Sequence, residues 1–162
     1  MKKDWNDSTI IGVQKYYAPS SICFGCGPSN KKGLMINSTR FSDGLELWFM
    51  PRKEHQAFPG VINGGIIGTI FDCHGNWTAA VGLLDAGKFS KIPYTVTSSF
   101  SVNLLRPTPT KTPLFITAKV DELMKDRASV SMKLFADKKL CARGKGLFVS
   151  VKEGHPAFNR WH

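Results

Sequence analysis

Long hydrophobic runs are missing from this sequence of 162 residues, and no uninterrupted apolar stretch approaches the roughly 18 residues of a membrane-spanning helix. The first residues, Met1-Lys2-Lys3, lead into polar residues and not into the apolar segment of a secretory signal peptide. We therefore expect a cytoplasmic protein that has no membrane partner.

Acidic residues are scarce, with 12 Asp and Glu against 22 Lys and Arg, so the formal net charge is +10. A basic surface concentrates anionic partners such as nucleic acid, membranes or phosphorylated small molecules. The positive residues are spread along the chain, without a basic stripe interleaved with aromatic residues and without a nucleic-acid-binding motif. We therefore expect no nucleic-acid partner, although charge alone does not choose among the three classes.

Cysteine is limited to four residues. Cys23 and Cys26 form a CxxC, whereas Cys73 and Cys141 stand alone. A CxxC supplies half of the ligands of a structural zinc site, and no second CxxC or HxxxH completes it. Because segment 22–33 is rich in glycine, an ordered turn is the favoured interpretation. We predict no metal site and no cofactor.

The hydrophobic and turn patterns along the sequence predict an α+β fold of one hairpin, one long helix and four more strands. Strand patterns cover 34–41 and 45–50 around a turn at 42–44, and then 94–105, 114–123, 128–136 and 140–151. Residues 1–21 are interpreted as a leader, 22–151 as the domain and 152–162 as a tail.

The segment 56–84 contains one formally charged side chain, Asp72. After Asn63, apolar residues recur every three or four positions, which predicts a helix. The opposite arc of this helix carries small residues such as Gly68 and Gly75, and not the Lys/Glu face of a solvent-exposed helix. We therefore expect a central helix that is buried on both sides, by a sheet that wraps it and, over the small-residue arc, by a second subunit.

Two features of this helix could support chemistry. A carboxylate on an otherwise uncharged helix needs a polar partner or a cavity, and Gly68 leaves room for a ligand beside Asp72. Asn63-Gly64-Gly65 places backbone N–H groups at the helix N-terminus, where the dipole favours a developing negative charge. Ordinary explanations remain for both, namely a loop cap or lysine pair for the carboxylate and a tight turn for the glycines.

Three motifs resemble the PaaI-type acyl-CoA thioesterases of the hotdog superfamily. They are Cys23-Phe-Gly-Cys-Gly-Pro-Ser-Asn-Lys-Lys-Gly-Leu34, then His55-Gln-Ala-Phe-Pro-Gly-Val-Ile-Asn-Gly-Gly-Ile-Ile-Gly-Thr-Ile-Phe-Asp72, and Leu105-Arg-Pro107. The resemblance covers residues 22 to about 151. It implies a curved antiparallel sheet wrapped around a long helix, and homodimers or homotetramers with interfacial active sites.

The resemblance also implies roles for individual residues. Asp72 would position or deprotonate the attacking water, Gly65 or Gly64 would polarise the carbonyl, and Thr97, from the partner subunit, would help to hold the water. His55 and Gln56 fall in a loop that lines the site in similar proteins. The sequence departs from the family at Asn63, which stands where the motif has histidine and cannot carry charge or shuttle a proton.

Coenzyme A would bring phosphates that suit the basic charge, and Arg106, Arg143 and Lys145 are the candidate contacts. Ordinary solvated cations on a strand face are an equal alternative for these residues. The sequence thus predicts hydrolysis of acyl-CoA thioesters, with acyl-CoA as the partner. A non-catalytic acyl-CoA or acyl-carrier binding protein is the alternative. A hotdog dehydratase would use a His–acid pair, which this sequence provides poorly, and a zinc or nucleic-acid module is the weakest interpretation.

Overall fold

The structure is a computed structural model that describes residues 11–162. Its helices are α1 (Val13–Tyr17) and α2 (Gly64–Asp85), with a short 3-10 helix at Lys53–His55. Its strands are β1 (Thr39–Phe41), β2 (Gly44–Phe49), β3 (Gln56–Phe58), β4 (Val61–Ile62), β5 (Thr95–Leu104), β6 (Leu114–Leu123), β7 (Arg127–Ala136) and β8 (Lys139–Ser150). No helix within residues 11–162 has the length and apolar character needed to cross a membrane.

Six strands form one antiparallel sheet in the order β1-β2-β6-β7-β8-β5, and β3 pairs with β4 separately. Consecutive strands β6, β7 and β8 are neighbours because tight turns join them. β5 lies at one edge of the sheet and β1 at the other. Helix α2 packs against one face, so the predicted α+β arrangement of a sheet around a long helix is confirmed.

Helix α2 approaches the sheet closely because its sheet-facing side carries small residues. A Cβ atom at Gly75 would lie 2.6 Å from Phe148 Cζ, and one at Gly82 would lie 2.7 Å from Val120 Cγ2. Contacts this close exclude a larger side chain without repacking of the core. The small-residue arc, for which a second subunit was expected, is therefore covered at these two glycines by the sheet of the same chain.

The outer side of α2 is covered by both ends of the described chain. Trp77, which is 1% exposed, stacks on Trp161 with ring centroids 4.2 Å apart and on Tyr17 at 6.4 Å. Burial of aromatic rings of this size is a large hydrophobic contribution to stability. The segments assigned to a leader and a tail thus supply side chains to the core, which their irregular sequence pattern did not predict. Residues 1–10 of the leader lie outside the described part of the chain.

The first predicted strand is shorter than its sequence pattern. Residues 34–38 are not a strand, because Met35 has a positive φ of 54° that interrupts the extended backbone. In this segment the N–H groups of Leu34 and Ile36 instead donate to the carbonyls of Phe24 and Gly25, at 2.8 and 3.0 Å. The short pair β3 and β4 was not predicted, since its strands have only three and two residues.

Strand β5 changes face at an irregularity between Thr97 and Ser99 in its pairing with β8. The sequence pattern, read as strict alternation, placed Thr97 and Phe100 on opposite sides of the strand. In the structure the Thr97 hydroxyl reaches α2, and the Phe100 ring also approaches α2, 3.9 Å from the position of a Cβ at Gly68. Strict alternation from Thr95, which would put the hydroxyl side chains of Thr95, Thr97, Ser99 and Ser101 on one face, is therefore wrong beyond residue 97, because the extra residue shifts the alternation.

Candidate functional site

A line of three residues on α2 faces the edge strand β5. Gly68, Asp72 and Asn76 are spaced by four positions and so lie on one side of the helix. Gly68 is opposite Phe100, and Asp72 and Asn76 each share a hydrogen bond with a threonine of β5. The candidate catalytic carboxylate thus lies between the central helix and the open edge of the sheet.

The Asp72 side chain accepts a hydrogen bond from the Thr97 hydroxyl through Oδ1. Both residues are partly buried, so the carboxylate is neither shielded completely nor placed on the outer surface. Thr97 was expected from the partner subunit, but the structure forms this contact within one chain. The second carboxylate oxygen is the part of Asp72 that can accept a hydrogen bond from a water.

Asn76 extends this group of polar residues and was not among the predicted site residues. Its amide Nδ2 lies 3.4 Å from Thr97 Oγ1, and its Oδ1 accepts from the Thr95 hydroxyl at 2.6 Å. Asn76 is 4% exposed, and its hydrogen bonds orient the threonine that contacts Asp72. The four-residue spacing from Asp72 is the sequence signal that could have identified it.

The start of α2 is capped by Asn63. Its Oδ1 accepts from the Gly65 N–H at 2.7 Å, while its backbone N–H donates to the His55 carbonyl at 2.8 Å. The Gly65 N–H is therefore already bonded, whereas the N–H of Gly64 precedes the intrahelical ladder. Asn63 is exposed, and with Oδ1 engaged its Nδ2 group is the part that can donate to a ligand. The end of β5 is close by, since a Cβ at Gly64 would lie 3.0 Å from Leu104 Cδ1.

His55 and Gln56 are held by bonds within their own loop. His55 is 3% exposed, stacks on Phe49 and accepts the Arg52 N–H through Nδ1 at 3.0 Å. Burial, followed by the charge of Arg52, lowers the pKa of His55 below its ordinary 6.5. Gln56 donates to the Lys53 carbonyl and accepts from the Gly60 N–H, and so it braces the turn between β3 and β4.

His74 is a core residue and not a substitute for the missing family histidine. It is fully buried, its Nδ1 lies 2.8 Å from Ser38 Oγ, and burial lowers its pKa to about 3. Its ring is therefore neutral at physiological pH. In the sequence, His74 falls on the apolar side of the helix, where a buried core histidine is expected.

The three candidate phosphate contacts are exposed, but they do not surround Asp72. Arg143 and Lys145 alternate on β8 with Gly144, whose missing Cβ would touch Phe71 of α2. They therefore point away from the helix, on the opposite face of the sheet. Arg106 follows β5 and donates to the Leu140 carbonyl at 2.6 Å.

A cavity of about 380 Å³ lies away from Asp72, near the C-terminal end of α2, where Gly82 and Asp85 line it.

Comparison with known proteins identifies solved structures that have the same fold. No family model and no curated protein matches the chain. Among solved structures, a thioesterase superfamily protein from Shewanella loihica is 27% identical with a TM-score of 0.61, over 77% of this chain and 98% of that one. The PaaI protein of the Escherichia coli phenylacetic acid degradation operon is 16% identical with a TM-score of 0.61, over 74% and 81% of the two chains.

A third similar structure, from Streptococcus mutans, was determined with bound acetyl-CoA. It is 15% identical with a TM-score of 0.59, and the match covers 72% of this chain and 88% of that one. The chain therefore has the hotdog fold of the thioesterase superfamily, and the resemblance inferred from the sequence motifs is confirmed.

Proposed function

We propose that this protein hydrolyses acyl-CoA thioesters to a free acid and CoA. The observation that carries this proposal is the partly exposed Asp72 carboxylate, which is hydrogen-bonded to Thr97 of the edge strand β5. This carboxylate belongs to helix α2, whose N-terminus lies two turns before it. A carboxylate can act as the general base that activates water, and a helix N-terminus can stabilise the oxyanion that forms in thioester hydrolysis. The likeness to thioesterase superfamily structures supports the reaction class.

In the proposed reaction, Asp72 holds a water molecule and accepts its proton as the water oxygen attacks the thioester carbonyl carbon. The new C–O bond turns the carbonyl oxygen into an oxyanion. Collapse of this intermediate breaks the C–S bond, the CoA thiolate leaves, and it takes the proton that Asp72 accepted from the water, which restores the carboxylate. Thr97 acts as a positioning residue, because its hydroxyl fixes the orientation of the carboxylate.

The oxyanion is stabilised at the start of α2. Because the Gly65 N–H is bonded to Asn63, we assign the donor role to the Gly64 N–H and the Asn63 side-chain amide. Asp72 lies about 12 Å along the axis from Gly64, at 1.5 Å per residue. A carboxylate, a water and a carbonyl joined by contacts of about 3 Å span a comparable distance. The thioester would therefore lie along the side of the helix between its first turn and Asp72.

A second copy of the chain would close this site. Among residues 11–162, β5 is an edge strand of ten residues, and no described strand pairs with its outer side. Leu104 and Phe100, which are 56% and 44% exposed, lie on the same strand beside the start of α2. Pairing of two β5 strands in a homodimer would cover these apolar side chains and enclose the acyl group. Arg106 at the end of β5, with Arg143 and Lys145 on the outer face, would supply cations for the phosphates of CoA.

The proposal is tested by following thiol release from a panel of short, medium and aromatic acyl-CoA substrates. Asp72→Asn should lower kcat about 100- to 10,000-fold, since it removes the base but keeps the size of the side chain. Asp85→Asn is the matched control, because this second acid of α2 is paired with Arg40 far from the site. Equal turnover by the wild type and Asp72→Asn would contradict the proposed role.

The alternative is a non-catalytic protein that binds acyl-CoA or an acyl carrier. The observation that favours it is Asn63, whose side chain caps the helix and offers no titratable group where the family motif has histidine. Saturable acyl-CoA binding by the wild type, measured by calorimetry, without thiol release from any member of the panel would support this alternative.

A further inference from the structure

Three cysteines from distant parts of the sequence meet on the outer side of α2. The sulfur atoms of Cys23, Cys26 and Cys73 all lie within 4.8 Å of one another, and those of Cys23 and Cys73 are 3.8 Å apart. Cys23 is exposed, whereas Cys26 and Cys73 are buried. The CxxC that appeared to be half a site in the sequence therefore gains a third thiol from the central helix.

Local structure brings the three sulfurs together. Gly25 lies directly over the helix, where a Cβ would be 2.3 Å from the Cys73 sulfur, so only glycine permits this approach. The Gly27 N–H donates to the Cys23 carbonyl at 2.8 Å and closes the turn that carries both cysteines. The loop is thus shaped so that its two thiols point at the third.

The surroundings of the cluster also suit negatively charged sulfur. The indole N–H of Trp77 donates to the Cys26 sulfur at 3.3 Å. Donors directed at sulfur stabilise thiolates and are characteristic of the surroundings of metal-bound cysteines.

We propose that Cys23, Cys26 and Cys73 bind a thiophilic metal ion, Zn²⁺, with a water or another exogenous ligand in the fourth position. Tetrahedral zinc with Zn–S bonds of about 2.3 Å has sulfurs about 3.8 Å apart, which matches the separation of the Cys23 and Cys73 sulfurs. Soft thiolate ligands select zinc over the hard cations Mg²⁺ and Ca²⁺. The exposed side of Cys23 gives solvent access to the fourth position.

The bound metal would tie the loop 22–33 to α2 at the residue that follows Asp72. Because ligands from two separate segments share one ion, its binding energy adds to the stability of the folded chain. This site is independent of the proposed hydrolysis, and its occupancy is measured without any assay of turnover.

The test is the metal content of the full-length protein, purified under reducing conditions and measured by inductively coupled plasma mass spectrometry. We expect about one zinc per chain, removal by a chelator, saturable uptake on titration of the metal-free protein, and a higher Tm with zinc. Cys23→Ser should reduce the zinc content at least tenfold, and its exposed position makes a folding defect from this change small. Cys141→Ser is the matched control, since this buried cysteine donates to the Lys139 carbonyl, lies outside the cluster of Cys23, Cys26 and Cys73, and should leave zinc unchanged.

Cobalt substitution provides a second measurement that does not depend on stability. Normalised to bound cobalt, the thiolate-to-cobalt charge-transfer absorbance should fall by about one third for each of Cys23→Ser and Cys26→Ser and should be unaffected by Cys141→Ser. Absence of saturable zinc uptake by the reduced wild type, or uptake equal in Cys23→Ser, would overturn the proposal. A disulfide between two of the three cysteines in the freshly purified protein would also overturn it. Another metal at the same stoichiometry, lost with the same variants, would overturn the assignment to zinc.

Discussion

The Thr97 hydroxyl donates a hydrogen bond to the Asp72 carboxylate across the boundary between β5 and α2. This contact joins the edge strand to the central helix at the one charged side chain in the segment 56–84. It leaves the second carboxylate oxygen of Asp72 for a water. The orientation of that carboxylate therefore depends on a residue of the strand at which a second subunit is proposed to pair.

Replacement of Thr97 tests this dependence. Thr97→Val keeps the shape of the side chain but removes the donor, so kcat should fall about tenfold, the equivalent of one hydrogen bond of about 1.4 kcal/mol. Thr97→Ser should retain most of the activity, because it keeps the hydroxyl. Ser101→Val, on the same strand but aligned with the exposed Lys145, serves as the control. A Thr97→Val enzyme with wild-type kcat would show that the contact has no role in turnover.

Asn63 is expected to have two separable roles. Asn63→Asp keeps an oxygen to cap the Gly65 N–H, so the free energy of unfolding should change by less than about 0.5 kcal/mol. The same change replaces the amide donor with a negative charge, so kcat should fall about 100-fold. Asn63→Ala should lose both functions and about 1 kcal/mol of stability. Urea unfolding and thiol release on the same preparations separate the two effects, and full activity in Asn63→Asp would exclude the amide from the reaction.

The oligomeric state can be tested at the two edges of the sheet. Leu104→Lys places a charge on β5, the proposed pairing strand, and should convert dimers to monomers in sedimentation velocity experiments at micromolar concentration. Phe41→Lys is the matched control, because Phe41 is 49% exposed on β1 at the opposite edge. Dissociation by Phe41→Lys but not by Leu104→Lys would contradict pairing at β5 and would indicate an interface at β1.

The buried His55 predicts a pH dependence of stability. Its pKa is lowered in the folded state, so as the pH falls below the ordinary value of 6.5 the unfolded chain takes up a proton before the native one does. The free energy of unfolding should therefore decrease from pH 7 toward pH 5, by at most about 1.4 kcal/mol per pH unit for each such group. Buried His74 contributes to the same decrease.

The measurement is urea unfolding at several pH values between 5 and 7.5. His55→Asn retains an acceptor near the position of Nδ1 but removes the titrating ring, and it should make the decrease shallower without abolishing it. His155→Asn makes the same replacement of a histidine whose Nδ1 accepts a backbone N–H, but at an exposed position, and serves as the control. An unchanged pH profile in His55→Asn would contradict this assignment.

The sequence predicted the long elements well because each has a clear hydrophobic period. The observed helix Gly64–Asp85 and strand Leu114–Leu123 agree with patterns that repeat over ten or more residues. The proximity of Cys73 to the CxxC was not predictable from spacing, since 46 intervening residues between Cys26 and Cys73 conceal a contact that only the packing of a loop on a helix creates. The packing of Trp161 on Trp77 was missed for the same reason, because aromatic residues in a short irregular tail have no period.

The irregularity in β5 determines which side chains of this strand face helix α2. In a regular strand, odd- and even-numbered positions point in opposite directions, so Thr97 and Phe100 could not both meet α2. One additional residue reverses the parity, and a hydroxyl group and an aromatic ring then stand side by side along the same strip of α2. A small molecule with one polar and one apolar end could therefore contact the hydroxyl group with its polar end and the aromatic ring with its apolar end.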